Sequence, residues 1–147
     1  MKIREVLAQK PSRVISVRPD KPVTVLPTLF DEHNISSVLV IDARGRLHGM
    51  VTDRSFLGAM AQHAARFGEL KAVDIMLTPA PRCSPGDSVT HALRRMTEDR
   101  VRHLVVLDNG HLVGIVSIGD LVKARLEDVE LESRVLREMA LGQIAAR

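Results

Sequence analysis

Tryptophan and tyrosine are absent, and three phenylalanines are the whole aromatic content of 147 residues. The flat side chains on which single-stranded bases stack are therefore missing. Lys and Arg are interleaved with Asp and Glu rather than massed in a block, so the net charge of +3 marks no nucleic-acid face. Cys83 is the one cysteine, which excludes an intrachain disulfide and a thiolate-rich metal site. No local signature supports Cys83 as a nucleophile partnered by His91 or His103. The six histidines (33, 48, 63, 91, 103 and 111) lack the i, i+4 pairing of a zinc-binding helix. No apolar run approaches the roughly 20 residues of a membrane span. MKIREVLAQK carries no apolar stretch like that of a signal peptide. A cytoplasmic protein is expected, with neither membrane nor nucleic acid as partner.

What is present is the balance of a globular protein, with 45% hydrophobic and 27% charged residues. The length fits one compact domain or two small units sharing a core.

Self-similarity organises the chain. Val17-Arg18-Pro19 aligns with Cys83-Ser84-Pro85, and Pro22-Val23-Thr24 with Ser88-Val89-Thr90, at a constant offset of 66. Ile35 to Asp42, ISSVLVID, falls on Val101 to Asp108, VRHLVVLD, at the same offset. One residue is lost in the turn that follows, and GMVT at Gly49 then matches GIVS at Gly114. Each copy predicts strand, helix, strand, strand, helix. VLVID and LVVLD are β-branched runs, each followed by a Gly-containing turn and a second run, as in a hairpin. Ser88 predicts a helix cap, with Val89, Ala92, Leu93 and Met96 at helical spacing behind it. In the first copy Pro27 would cost about 3 kcal/mol inside the equivalent helix, so that helix should start near Pro27 or kink.

The expected organisation is a first repeat over 1–67 with its N-terminal helix, a second over 68–124, and a helical tail over 125–147. Residues Gly68 to Met76 link the copies. The class is α/β (α+β), two β-α-β-β-α repeats packed through their sheets as a pseudo-twofold pair, because one copy alone buries too little to be stable. Phe56, Leu57, Met60, Ala64 and Phe67 form an apolar stripe read as core. In the tail, Val122, Leu126, Val129, Ser133, Leu136 and Ala140 are spaced by four and three. That seam suits a helix lying on its own domain or a contact between subunits.

Ser117 and Asp120, in GIVSIGDL, have the spacing of a capping box, in which hydroxyl and acid satisfy each other's backbone amides. The same stretch also lies at a strand-to-helix turn, where free amides and the positive helix end favour an anion. Gly119 would leave the backbone uncovered there, and a carboxylate can take two ribose hydroxyls. Arg102 and His103 before the central strand, with Arg13 and Arg82, add the cations and donors a nucleotide needs. Capping and ligand binding both remain open. The copy at GMVTDRSF has Ser55 where the acid would stand.

The duplicated unit, most clearly VRHLVVLD-NGHLVGIVSIGDLV, resembles the cystathionine-β-synthase (CBS) domain, and residues 1 to 124 look like a stand-alone CBS pair. The resemblance implies a pseudo-twofold disc, commonly dimerised, that binds adenosine nucleotides between its copies, regulates a fused enzyme or a separate partner and has no catalysis or cofactor of its own. Carried over, it places Asp120 on ribose hydroxyls, Ser117 by ribose or phosphate, Ile115 at the base and Arg102 at phosphate. Val14, Ile15, Ile35, Ser36 and Ser37 would supply backbone donors and walls around adenine. AMP, ADP or ATP is the expected ligand, with NADH or S-adenosylmethionine as the alternative, and a ligand-free interaction module as the other reading. The mirror cleft would use Met50, Thr52, Ser55, Ala80, Pro81, Arg82, Val101 and His103. Lacking the acid, it should bind a nucleoside more weakly by roughly 1.5 to 3 kcal/mol.

Overall fold

The computed structural model describes residues 1–10 and 14–145, with side chains as far as residue 143. In chain order the elements are α1 (Ile3–Ala8), β1 (Ser16–Val17), α2 (Leu26–His33), β2 (Ser37–Ile41), β3 (Leu47–Thr52), α3 (Asp53–His63), α4 (Ala72–Ile75), β4 (Arg82–Cys83), α5 (Val89–Asp99), β5 (His103–Asp108), β6 (His111–Ser117) and α6 (Ile118–Ala145). Two three-stranded sheets result, ordered β1-β2-β3 and β4-β5-β6, each with one parallel and one antiparallel pairing. The expected mixed α and β class and the expected element order in each copy are both observed.

Local sequence accounts for the starts and turns. Ser88 Oγ accepts from the His91 amide at 3.0 Å and caps α5. A single 3₁₀ turn, Val23–Val25, delivers the chain to α2, so that Pro27 sits in the first turn, where its missing N–H costs nothing. The second hairpin closes on Asn109-Gly110, both with positive φ, the tight turn those two residues favour.

The sheets face each other through Leu39, Met50, Ala80 and Val105, all buried, with Val14 and Ile115 beside them. Behind each sheet lies a separate core. Val38, Val40, Val51, Phe56 and Phe67 of the first copy pack with Ala72 and Ile75 of α4. Leu104, Val106, Val116 and Leu121 of the second pack with Ile3 and Val6 of α1. The two short helices are thus exchanged. Backbone bonds anchor the exchange: the Ile3 amide donates to Asp87 O at 2.9 Å, and the Ala72 amide to Lys21 O at 2.8 Å. The N-terminal helix, grouped by sequence with residues 1–67, packs against the second copy.

The apolar stripe of α3 also differs from expectation. Phe56 and Phe67 are buried, but Leu57 is 63% and Met60 44% exposed, and Ala64 is exposed too. The stripe assumed an unbroken helix, whereas α3 ends at His63 and Ala64 turns the chain with φ 48°. Ala59 takes the inward position instead, and Phe67 returns through a 3₁₀ stretch to meet Phe56 edge-on at 5.0 Å. In α6, Leu121 and Ala124 are buried, while every residue from Val129 to Gln143 is exposed. That part of the tail does not lie on its own domain.

Candidate functional site

Ser117 ends β6 and Asp120 occupies the first turn of α6. The capping box is fully formed: the Asp120 amide donates to Ser117 Oγ at 3.2 Å, and the Ser117 amide donates to Asp120 Oδ2 at 2.8 Å. A third partner comes from the far end of the chain. Lys10 Nζ donates to Asp120 Oδ2 and to the Ile115 carbonyl, both at 2.8 Å. Burial pushes the Asp120 carboxyl up, but the bonds from Lys10 and the Ser117 amide outweigh it and hold the acid below the ordinary carboxylate value. Asp120 is an anion at neutral pH.

Around it lies a cavity of about 230 Å³ lined by Lys10, Val14, Ile15, Asn34, Ile35, Ser36, Ser37, His103, Ile115, Ser117 and Asp120. Eight of the ten residues expected at this cleft are brought together here. Gly119 and Arg102 are not among them. A Cβ on Gly119 would meet only Ser117 Oγ at 3.7 Å, an ordinary contact, so space does not demand glycine there. The Arg102 side chain lies over the mirror cleft, 3.0 Å from Asp53 Oδ1, which corrects its assignment to phosphate beside Asp120. Its carbonyl is spent on the Ile118 amide at 2.9 Å, as Ser36 O is on the Asp53 amide. Arg13 lies outside the described residues.

The mirror cavity is larger, about 360 Å³, and is lined by Thr52, Asp53, Arg54, Ser55, Leu77, Asp99, Arg100, Val101, Arg102 and His103. Thr52, Ser55, Val101 and His103 were expected there. Met50 and Ala80 are instead buried between the sheets, the Pro81 carbonyl accepts from the Val105 amide at 2.7 Å, and Arg82 Nε turns to the Ala80 carbonyl at 3.2 Å. Ser55 and Thr52 reproduce the reciprocal cap, with bonds of 2.8 and 3.0 Å, but without charge. The two clefts therefore share local geometry and differ in electrostatics. Among the described residues, one holds a half-buried acid and a lysine; the other holds three arginines and two aspartates.

The placement of the lysine follows from the connection between the short helix and the first strand. Val6 and Val17 are eleven positions apart, but their counterparts Ile75 and Cys83 are only eight. In the shorter connection Leu77 pairs with Met50 along the backbone, at 2.7 and 3.1 Å. In the longer one Lys10 bonds Ile115 O, the position equivalent to Met50 O. Lys10 was not singled out from sequence; the three extra residues were the available signal.

His103 lines both cavities, with its Nε2 2.8 Å from Ser36 Oγ. Burial lowers its pKa, an effect that the charge of Asp53 only partly offsets, so the ring is neutral at pH 7. Cys83 is buried, and burial with the nearby Asp87 charge pushes its thiol up to about 12, leaving no nucleophilic thiolate at neutral pH. Among the described residues no cluster of three or more His, Cys, Asp or Glu could hold a metal ion, and no helix is long and apolar enough to cross a membrane.

Known proteins share this fold. The chain is 32% identical over 111 residues to the CBS domain-containing protein YhcV of Bacillus subtilis, covering 75% of this chain and 77% of that one. Its fold matches the crystal structure of the CBS-domain containing protein ATU1752 from Agrobacterium tumefaciens with a TM-score of 0.80 and 33% identity, over 84% and 92% of the two chains. It also matches, in fold alone at 21% identity and a TM-score of 0.74, the CBS domain pair of protein MJ0100 in complex with 5′-methylthioadenosine and S-adenosyl-L-methionine, over 87% and 98% of the chains. The CBS domain pattern itself matches twice, at residues 3–62 and 72–127. The chain, with its two exchanged short helices and its paired sheets, belongs to the CBS-domain family.

Proposed function

We propose that this CBS pair is a non-catalytic regulatory module that binds an adenosine nucleotide, of the AMP or ATP class, at Asp120 and passes the change to a separate protein. The observation that carries this reading is a half-buried, ionised carboxylate set among hydroxyls and apolar walls at a strand-to-helix turn. Asp120 would accept the ribose hydroxyls, Ser117 and Ser36 would donate to the sugar, and Ile15, Ile35 and Ile115 would flank the base. With Arg102 turned away, the phosphate role passes to Lys10. The cavity falls below the roughly 300 Å³ at which small-molecule sites begin, and the Lys10 side chain fills part of it, so a ligand would displace that side chain.

Among the described residues, one lysine beside one aspartate leaves the lining close to neutral. That favours a ligand with few negative charges, AMP ahead of ATP, and supports S-adenosylmethionine as the second reading, in line with the ligands of the MJ0100 pair. Calorimetry tests the proposal. Heat of binding is expected for at least one of AMP, ADP, ATP, NADH and S-adenosylmethionine, with Asp120→Ala weakening it by about one to two decades and Ser55→Ala changing little. No binding of any of them at millimolar ligand would leave Ser117 and Asp120 as a helix cap in an interaction module.

A further inference from the structure

The exposed length of α6 carries a seam that the fold leaves unpartnered. Leu121 and Ala124 bury one side of the helix against its own domain, and Val122, Leu126 and Val129 point away from it, 43%, 57% and 44% exposed. From there Ser133, Leu136, Ala140 and Gln143 continue the same line at alternating spacings of four and three. Leu131 and Val135 lie elsewhere: each is one or two heptads beyond Ala124 or Leu121 and so continues the inner side of the helix. In proteins most of a helix's stability comes from packing an apolar face, and this seam has nothing to pack on within its own domain.

We propose that this seam pairs with the same seam of a second copy, as a short parallel two-stranded coiled coil that begins at the domain surface. The charges flanking the seam select both occupant and direction. In a parallel pair each residue just before Leu126 or Ser133 on the seam meets the one five positions later on its partner. Arg125 then faces Glu130 of the second copy and Glu132 faces Arg137, opposite charges in both cases, and the twofold axis doubles them. In the antiparallel register that overlaps the whole seam, Glu130 meets Glu130, Glu132 meets Glu132 and Lys123 meets Arg137. All three are like charges. Small residues at Ser133 and Ala140 let the two backbones approach, and the domains sit on the outer sides, clear of each other's helix. The pairing involves neither cleft and is independent of any nucleotide.

Sedimentation equilibrium without ligand reads the mass. A dimer of twice 16.2 kDa is expected for the full chain. Val129→Glu with Leu136→Glu should give a monomer that still unfolds cooperatively in urea, while Leu131→Glu with Val135→Glu should stay dimeric. Glu130→Arg should weaken the dimer by about tenfold or more, and adding Arg125→Glu should restore it. Gln143→Cys should oxidise to a disulfide between copies, Cys83 being buried. A monomeric full chain, a dimer that survives the seam substitutions, or a Glu130→Arg variant that associates more tightly would overturn the proposal.

Discussion

Lys10 Nζ bonds two acceptors that the chain places at the heart of one cleft, Asp120 Oδ2 and the Ile115 carbonyl, each at 2.8 Å. The pair is about a quarter to a third exposed, so its worth is no more than about 1 kcal/mol. Its larger effect is on ionisation. Asp120 titrates below its ordinary 3.8, so the stability it contributes is complete above that pH and is lost as pH falls through the lower folded value. Lys10→Met leaves burial in place and removes the main opposing bond. The carboxyl should then titrate higher, followed by ¹³C resonance, and the share of acid-side destabilisation due to Asp120 should shrink. An unchanged titration would place the control with the Ser117 amide alone.

His103 gives a second, separate pH window. Its folded pKa is depressed below 6.5 by burial, so folding disfavours the proton. Stability is therefore full above that value and declines as pH falls beneath it, toward the folded pKa. Urea denaturation of the native chain should show a falling midpoint from about pH 7 to 5. In His103→Gln, which keeps a polar group for Ser36, that slope should flatten. Parallel slopes in the two proteins would assign the decline to other groups.

Much of this was legible in the sequence because a duplicated pattern constrains itself. Offset positions such as Leu39 and Val105 had to share a role, and both are found buried between the sheets. Ser88 and Asn109-Gly110 act through bonds within a few residues, so their caps and turns could be read locally. Three features could not. Whether α1 covers its own sheet or the other depends on how the connections cross, not on any local preference. The direction of Arg102 follows from Asp53 in the other copy, 49 positions away. The Lys10 bond to Asp120 spans 110 positions and depends on a connection that lies ahead of Val17, where the alignment of the two copies begins.

Ala64 shows a local conflict between residue and conformation. Its φ of 48° with ψ of −119° is the geometry of the first central residue of a type II′ turn, where glycine is preferred because a Cβ crowds the backbone. Such strain costs on the order of 1–3 kcal/mol, and glycine's extra freedom in the unfolded chain returns roughly 0.5–1 kcal/mol of it. Ala64→Gly is exposed and loses no packing. It should therefore raise stability by about 1 kcal/mol, seen as a rise of a few degrees in Tm. A fall in Tm would mean that the turn relaxes without cost.

Gly49 and Gly114 open the two matching strand-to-helix motifs; Gly114 lies beneath α1, and Gly49 beneath the residues that follow α4. A Cβ at Gly49 would come within 2.5 Å of the Leu77 carbonyl oxygen and 2.9 Å of Met76 Sδ; at Gly114 it would meet Leu7 Cδ2 at 3.0 Å. Backbone cannot step aside as the end of a leucine can. Gly49→Ala should therefore cost about 1–3 kcal/mol by forced displacement, and Gly114→Ala distinctly less, in chemical denaturation of each variant. The displacement also has a direction. Leu77 is bonded to Met50 and lines the mirror cavity, so Gly49→Ala should disturb that cleft while leaving the one at Asp120 intact. Amide resonances around Thr52 and Ser55 should shift, and those of Ser117 and Asp120 should not. Shifts at both clefts would show that the two are coupled through the buried sheet interface rather than by the connections that set them apart.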